Sequence, residues 1–413
     1  MRMISTASAA LIVLLLSACV SPRGMQAPAP TASVLLVSLD GFHPRYLGRG
    51  MTPTLDALAA GGVRAQWMAP SYPSLTFPNH YTLVTGLRPD RHGIVHNTMQ
   101  DAALGGFKLG DRTAVGDGRW WGGEPLWATA ERAGLPTATL SWPGSEAAVG
   151  GVRPTRWNEF DKHRPIDDRV DTVLGWLREP PATRPRFATL YFEHLDSAAH
   201  EHGPDSRQAH AAVARLDAAL GRLVQGLGAA GLDGAVNLVI TSDHGMAPVP
   251  PGQVVIVEDM VDPADARVVT TGQSVGFEPL PGRRTQAEAR LLGRQGPYEC
   301  WRKGELPARW HYGTHRRVPA IVCQMDEGWD AIRRERLARR PSHERGSHGF
   351  DPALPSMRAL FIAHGPAFRI GVALPPIDNV DVYPLLARLV GVPAATNDGD
   401  AQALLPALRT TNP

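Results

Sequence analysis

One pattern recurs along this chain and limits its possible folds: a short, apolar, β-branched run that ends in a turn bearing Asp or His. Val34 to Leu39 runs into Asp40-Gly41, Val236 to Thr241 into Ser242-Asp243-His244-Gly245, and Phe187 to Phe192 into a segment carrying Asp196 and His200. Leu360 to Ile362 is a further apolar run. Continuous apolar runs of this length suit strands buried on both faces, as in a parallel sheet. Helical patterns lie between them, clearest at Val213, Leu216, Leu220, Leu223 and Leu227, whose spacing lines one helix face. The alternation predicts an α/β fold, a mostly parallel sheet with helices on both faces. In such a sheet the ligand crevice lies beyond the carboxyl ends of the strands, where all three turns fall.

Residues 1–19 read MRMISTASAALIVLLLSAC, a secretory signal whose apolar run is too short to span a bilayer comfortably. Leu16 to Cys19 resembles a bacterial lipobox, in which Cys19 becomes the lipidated first residue; an ordinary signal peptide ending near Ala18 is the other reading. Residues 1–18 are therefore expected to be a signal peptide and 19–31, rich in Pro and Ala, a lipidated tether. The expected location is the periplasm or cell surface, with the chain anchored to a bacterial membrane by lipid alone. Val20 after the Cys is compatible with the outer membrane.

Apart from Cys19, the cysteines are Cys300 and Cys323, an even pair that an oxidising compartment would join in a disulfide or that would remain two buried thiols. The net charge of +2 carries no information about partners, and no nucleic-acid or protein partner is implied. Without an internal repeat or a linker after Thr31, residues 32–408 read as one domain. The region 248–340, dense in Pro, Gly, Arg and Trp, breaks the strand–helix rhythm and reads as an inserted lobe. Within it, Arg333 to Arg340 reads as a solvated helix face, with a polyanion or membrane surface as the alternative.

The chemistry lies in combination. An Asp-Gly after a strand is ordinarily a turn. Asp196 and His200, four apart, share a face if they begin a helical turn, and Gly346-Ser347-His348-Gly349 frees a histidine to reach inward. Three Asp and two or three His on one concave edge would repel one another without a cation. Oxygen and nitrogen donors without thiolate suit catalytic zinc, and two ions about 4 Å apart can clamp the oxygens of a phosphoryl displacement. The stretch SYPSLTFPNHYTLVTG, Ser71 to Gly86, offers three candidate nucleophiles, Ser71, Ser74 and Thr76.

Five segments in order carry a resemblance: SLDGF at Ser38, PSLTFPNHYTLVTGLRPDRHGIVHN at Pro73, LDSAAHEHGP at Leu195, SDHGM at Ser242 and GSHGFDPALPSMRALFIAHGP at Gly346. Together they resemble the nucleotide pyrophosphatase/phosphodiesterase family of the alkaline phosphatase superfamily, from about Val34 to Val390. The resemblance implies an alkaline-phosphatase-like fold with Thr76 as nucleophile. A helix starting there would turn the amide next to Thr76 toward a phosphate. The resemblance also implies two Zn2+ ions, one held by Asp40, Thr76, Asp243 and His244, the other by Asp196, His200 and His348, and makes Asn97 a ligand of a non-bridging phosphate oxygen. His194, His202 and His343 miss the family register, and His80 and His92 belong to the motif without being ligands.

The implied reaction is hydrolysis of nucleotide phosphodiester or pyrophosphate bonds to nucleoside 5′-monophosphates through a phospho-threonine. Leu140 to Pro165 resembles a loop kept by nucleotide-hydrolysing members, so Phe77 with Trp157 or Phe160 could sandwich a base. A choline-phosphate, glycerophosphodiester or lysophospholipid phosphodiesterase would keep the same zinc ligands and change only the pocket. A sulfatase would need a CxPxR motif, which is absent from the sequence. A non-catalytic zinc-binding surface lipoprotein is the remaining reading.

Overall fold

The computed structural model describes residues 32–410. Cys19, the signal peptide and the tether lie outside the described residues. The central sheet has eight strands: β1 (Ser33–Leu39), β2 (Val63–Ala65), β3 (Thr137–Leu140), β4 (Arg156–Asn158), β5 (Phe187–Phe192), β6 (Val236–Thr241), β7 (Phe361–His364) and β8 (Val372–Leu374). Their order is β8-β2-β7-β6-β1-β5-β3-β4. β1 lies between β5 and β6, parallel to both.

The reason β1 reads as an unbroken apolar run is visible in its neighbours. Leu35, Val37 and Leu39 enter one core; Val34 and Leu36 enter another on the opposite face. The first core is closed by α1 (Pro53–Ala60), the second by α2 (Thr76–Thr85). Helices α3 (Ile166–Leu177), α4 (His194–His202) and α5 (Arg207–Ala229) join α1, and α6 (Val382–Val390) joins α2. Val213, Leu216, Leu220, Leu223 and Leu227 are the buried stripe of α5.

The sheet is mixed rather than wholly parallel, because β7 pairs antiparallel with both β6 and β2. This strand follows the long excursion from 248 to 340 and re-enters the sheet from the opposite end. That excursion holds a five-stranded antiparallel sheet (Ala266–Thr270, Ser274–Pro279, Gly293–Arg294, Tyr298–Arg302 and Ile321–Met325) over its own apolar cluster. Cys300 and Cys323 face each other across two of its strands and are joined by a disulfide. The run Arg333 to Arg340 is not a helix face: only Arg334–Leu337 is helical, and the rest is turn and irregular backbone.

Candidate active site

The edge of the sheet expected to hold the site does gather the acidic turns. Asp40 follows β1, Asp243 and His244 follow β6, and Asp196 and His200 sit on α4 just after β5. Asp40, Asp243, His244 and His348 are all buried. His348 arrives on the segment after Arg345–Ser347, which lies against α4. Gly346 permits that approach, since a Cβ there would stand 2.5 Å from the Ala199 carbonyl oxygen.

Three histidines share one pattern. His200 Nδ1 bonds the Gly346 carbonyl at 2.9 Å, His348 Nδ1 the Ser74 carbonyl at 2.9 Å, and His244 Nδ1 the Gly245 carbonyl at 2.9 Å. A ring that donates Nδ1–H to a carbonyl presents a bare Nε2 as its lone-pair donor. The Nε2 atoms of His200 and His348 each stand 3.5 Å from Asp196 Oδ1, and that of His244 stands 2.9 Å from Asp243 Oδ2 and 3.6 Å from Asp40 Oδ1.

Asp40 Oδ1, Asp196 Oδ1, Asp243 Oδ2 and His244 Nε2 are buried yet make no hydrogen bond within the protein. Burial, reinforced by the negative charge of Asp243, pushes the Asp40 carboxyl well above its ordinary range, and burial raises Asp196 too. Burial would also raise Asp243, but the adjoining His244 and His80 hold it well below that range. Buried polar atoms aimed at one another and left unbonded are costly, and a cation among them removes the cost. The donor set of carboxylates and imidazoles fits zinc.

Ligand atoms lying within 4.8 Å of one another form two groups, Asp196 with His244 and His348, and Asp40 with His80 and Asp243. His244 borders both halves, its ring stacked on that of His348 at 3.6 Å. His80 is close to Asp243 but spoken for, with Nδ1 on the Thr76 carbonyl and Nε2 on Ser38 Oγ, both at 2.8 Å.

From Pro70 to Leu87 every residue is buried except Thr76. It opens α2 and lines a cleft of about 540 Å³ with Asp40, Asn97, Asp196, His200 and His348. Ser71 and Ser74 are committed elsewhere, Ser71 Oγ donating to Asn379 Oδ1 at 2.8 Å and Ser74 Oγ to the Phe350 carbonyl at 3.0 Å. Asn97 Oδ1 accepts the Phe77 amide at 2.9 Å, which leaves its Nδ2 as a donor. That bond also corrects an expectation, because the Phe77 amide at the start of α2 already has an acceptor.

Phe77 and Phe160 line the cleft; Trp157 does not, lying on edge strand β4 under the Arg153 guanidinium, 5.1 Å from the ring centroid. Alternation along β4 points neighbouring side chains to opposite faces, so its residues cannot all reach the cleft. Of the off-register histidines, His194 lines the cleft while His202 and His343 stack on each other at 6.0 Å.

Several cleft residues escaped the sequence reading. Tyr191, two before Glu193, donates its hydroxyl to Asp40 Oδ2 at 2.5 Å. Glu193 is clamped by Arg169 through bonds of 2.6 and 3.0 Å, and Glu146 is paired with Arg112. Lys162 lines the same cleft and is exposed. A tyrosine at the end of a strand leading to a loop of candidate ligands was the one signal available; Glu193, Glu146 and Lys162 lie outside helices and strands, on segments whose closure the sequence does not announce.

A family profile described as type I phosphodiesterase / nucleotide pyrophosphatase matches residues 34–351. A fission-yeast protein named as an uncharacterized pyrophosphatase/phosphodiesterase is 34% identical, over 92% of this chain and 81% of its own. The rat ectonucleotide pyrophosphatase/phosphodiesterase family member 3 is 34% identical over 94% of this chain, and a Crotalus durissus collilineatus venom phosphodiesterase 34% over 92%. This chain spans about half the length of those last two, 45% and 47%. Among solved structures, an inactive variant of murine ectonucleotide pyrophosphatase/phosphodiesterase 5 in complex with AMP superposes with a TM-score of 0.86. It is 31% identical, over 92% of this chain and all of that one.

Proposed function

The chain belongs to the type I phosphodiesterase and nucleotide pyrophosphatase family, and from that premise we propose that it hydrolyses nucleotide phosphodiester and pyrophosphate bonds to nucleoside 5′-monophosphates. The observation that carries the proposal is the position of Thr76, the one unburied residue of its run, on a cleft wall shared with four metal-type ligands.

Asp40, Thr76, Asp243 and His244 would hold one zinc ion, and Asp196, His200 and His348 a second. Bound there, the ions would supply Lewis-acid charge that acidifies a ligated hydroxyl and offsets charge on phosphoryl oxygens. Thr76 Oγ gives up its proton to solvent and attacks phosphorus, and the bond to the leaving oxygen breaks, its electron pair going with that oxygen. Water then attacks the phospho-Thr76 ester, releasing the monophosphate and restoring the hydroxyl. Two in-line displacements retain configuration at phosphorus. Asn97, its Oδ1 held by the Phe77 amide, donates Nδ2–H to a non-bridging oxygen.

The cleft's charge favours an anionic substrate over a choline ester. A trimethylammonium group is held by aromatic faces or by free carboxylates; Phe77 and Phe160 offer rings to either ligand, but both Glu193 and Glu146 are neutralised by arginines and Lys162 adds a cation, so the charge of the cleft wall favours the anion. We place the protein at a bacterial membrane as an exported lipoprotein, which radiolabelled palmitate incorporation lost in Cys19→Ala would test.

The deciding experiment compares p-nitrophenyl thymidine 5′-monophosphate with p-nitrophenyl phosphorylcholine and p-nitrophenyl phosphate, with Thr76→Ala in parallel. The proposal requires the nucleotide diester to be turned over fastest and Thr76→Ala to abolish turnover. Preference for the choline ester would sink the nucleotide assignment while leaving the zinc site in place.

A further inference from the structure

The Arg-rich run finds a setting in a second cleft. Ser197 and His200, on the wall of the active-site cleft, also line a neighbouring cleft of about 580 Å³. Arg336, Arg339, Arg340 and Arg345 line it too. Four arginines therefore share with two acidic residues, Asp330 and Glu201, a cleft whose lining includes a candidate metal ligand, His200.

The carboxylates do not satisfy the arginines. Asp330 already accepts three bonds, Arg340 Nη1 at 2.7 Å and Arg345 Nη1 at 3.2 Å on one oxygen and Gln273 Nε2 at 3.0 Å on the other. The Glu201 side chain is 72% exposed and lies near His202. Arg336 and Arg339 have no carboxylate partner among the described residues. The Arg340 side chain is only 6% exposed, yet its Nη2 is buried without an acceptor. By contrast Arg333 and Arg334, in the same run, pair with Glu258 and Asp259. The surplus of donors is confined to the part of the run that crosses the cleft.

A buried guanidinium N–H without an acceptor is costly, and the fork of an arginine matches phosphate oxygens. We infer that this cleft is the leaving-group subsite, which takes the further phosphates of a nucleoside triphosphate or similar polyphosphate while the first cleft holds the nucleoside and the phosphorus under attack. The inference rests on the nucleotide reading above. The net reaction adds water across the α–β bridge: the nucleoside 5′-monophosphate leaves from one cleft, and pyrophosphate, keeping the bridging oxygen, from the other.

The test measures kcat/KM for ATP and for p-nitrophenyl thymidine 5′-monophosphate, whose leaving group carries no phosphate, in wild type and in Arg336→Ala/Arg339→Ala. The ratio of the ATP value to the p-nitrophenyl ester value should fall about ten-fold or more in the double variant. A ratio that stays within about two-fold, whether or not both values drop together, overturns the subsite. A salt series on the wild type needs no variant. Raising NaCl from about 50 to about 300 mM should depress the ATP value several-fold more than the ester value, and parallel curves count against the inference. Wild-type turnover of the ester without turnover of ATP overturns the subsite alone; turnover of neither overturns the nucleotide reading as well.

Discussion

The Tyr191 hydroxyl donates a 2.5 Å hydrogen bond to Asp40 Oδ2, while the other oxygen of that carboxylate, Oδ1, is buried and unbonded. Tyr191 thereby fixes which oxygen of Asp40 is free to ligate, and its bond opposes the burial that raises the Asp40 carboxyl. Removing an outer partner of a metal-ligating carboxylate typically weakens the metal about 10- to 100-fold. Tyr191→Phe should lose zinc affinity on that scale in competition with a chromogenic chelator at neutral pH. Unchanged affinity would mean that Asp40 is oriented by its backbone alone.

Two of the hydroxyls of Ser71 to Thr76, those of Thr76 and Ser74, should separate cleanly. Thr76→Ala should lower kcat by about a thousand-fold or more with its melting temperature nearly unchanged, because a lost nucleophile removes chemistry and little packing. Ser74→Ala should do the reverse. Its Oγ donates to the Phe350 carbonyl at 3.0 Å in a fully buried setting, so the variant should lose about 1 kcal/mol of stability. Its kcat should stay within a few-fold of wild type, and a Ser74→Ala enzyme as dead as Thr76→Ala would dismantle the assignment.

Acid should strike His92. Burial lowers this imidazole to about 3, and both nitrogens are engaged, Nδ1 accepting the Ile94 amide at 3.2 Å and Nε2 near Thr82 Oγ1 at 3.1 Å and the Pro78 carbonyl at 3.2 Å. Protonation at Nδ1 would set two donors against each other. With the folded pKa below the unfolded value of about 6.5, the unfolded chain binds the extra proton. The stabilisation is complete above about 6.5 and erodes as pH falls toward the folded value, by about 2 kcal/mol at pH 5. Urea midpoints should therefore show His92→Gln well below wild type at pH 7.5 and the gap much narrowed at pH 5. A gap constant with pH would remove His92 from the acid limb.

Much of this architecture was legible because burial on both sheet faces leaves an unbroken apolar signature, as in Val34 to Leu39, and because the turns after those strands carry the candidate metal ligands. Asp196 and His200 were legible as a pair because helical spacing puts them on one face, and the structure sets His200 Nε2 3.5 Å from Asp196 Oδ1. What the sequence could not show was set by non-local closure. β7 runs against its neighbours, and the short strands β2, β4 and β8 hold too few residues to show a period. The clamps Arg169–Glu193 and Arg112–Glu146 join residues 24 and 34 positions apart, and nothing local marks either pair. Arg333 to Arg340 looked like a helix face because arginine favours helices, yet only four of its residues form one.

The aromatic side of the cleft supplies the last expectation. Phe160 and Trp157 lie three residues apart, but only Phe160 lines the cleft, its ring 6.0 Å from that of Tyr191. Trp157 is engaged with Arg153 on the sheet's edge strand. Stacking a base on an aromatic ring contributes about 1 to 3 kcal/mol, so Phe160→Ala should raise KM for p-nitrophenyl thymidine 5′-monophosphate about 5- to 100-fold with a smaller effect on kcat. Trp157→Ala should leave KM within about two-fold. Phe77 cannot be tested as simply, since it packs on Phe107 and Trp121 and is only 9% exposed; its loss would cost about 3 to 5 kcal/mol of stability. Should Trp157→Ala raise KM and Phe160→Ala not, the nucleoside lies on the outer side of β4 and the cleft's assignment to it falls.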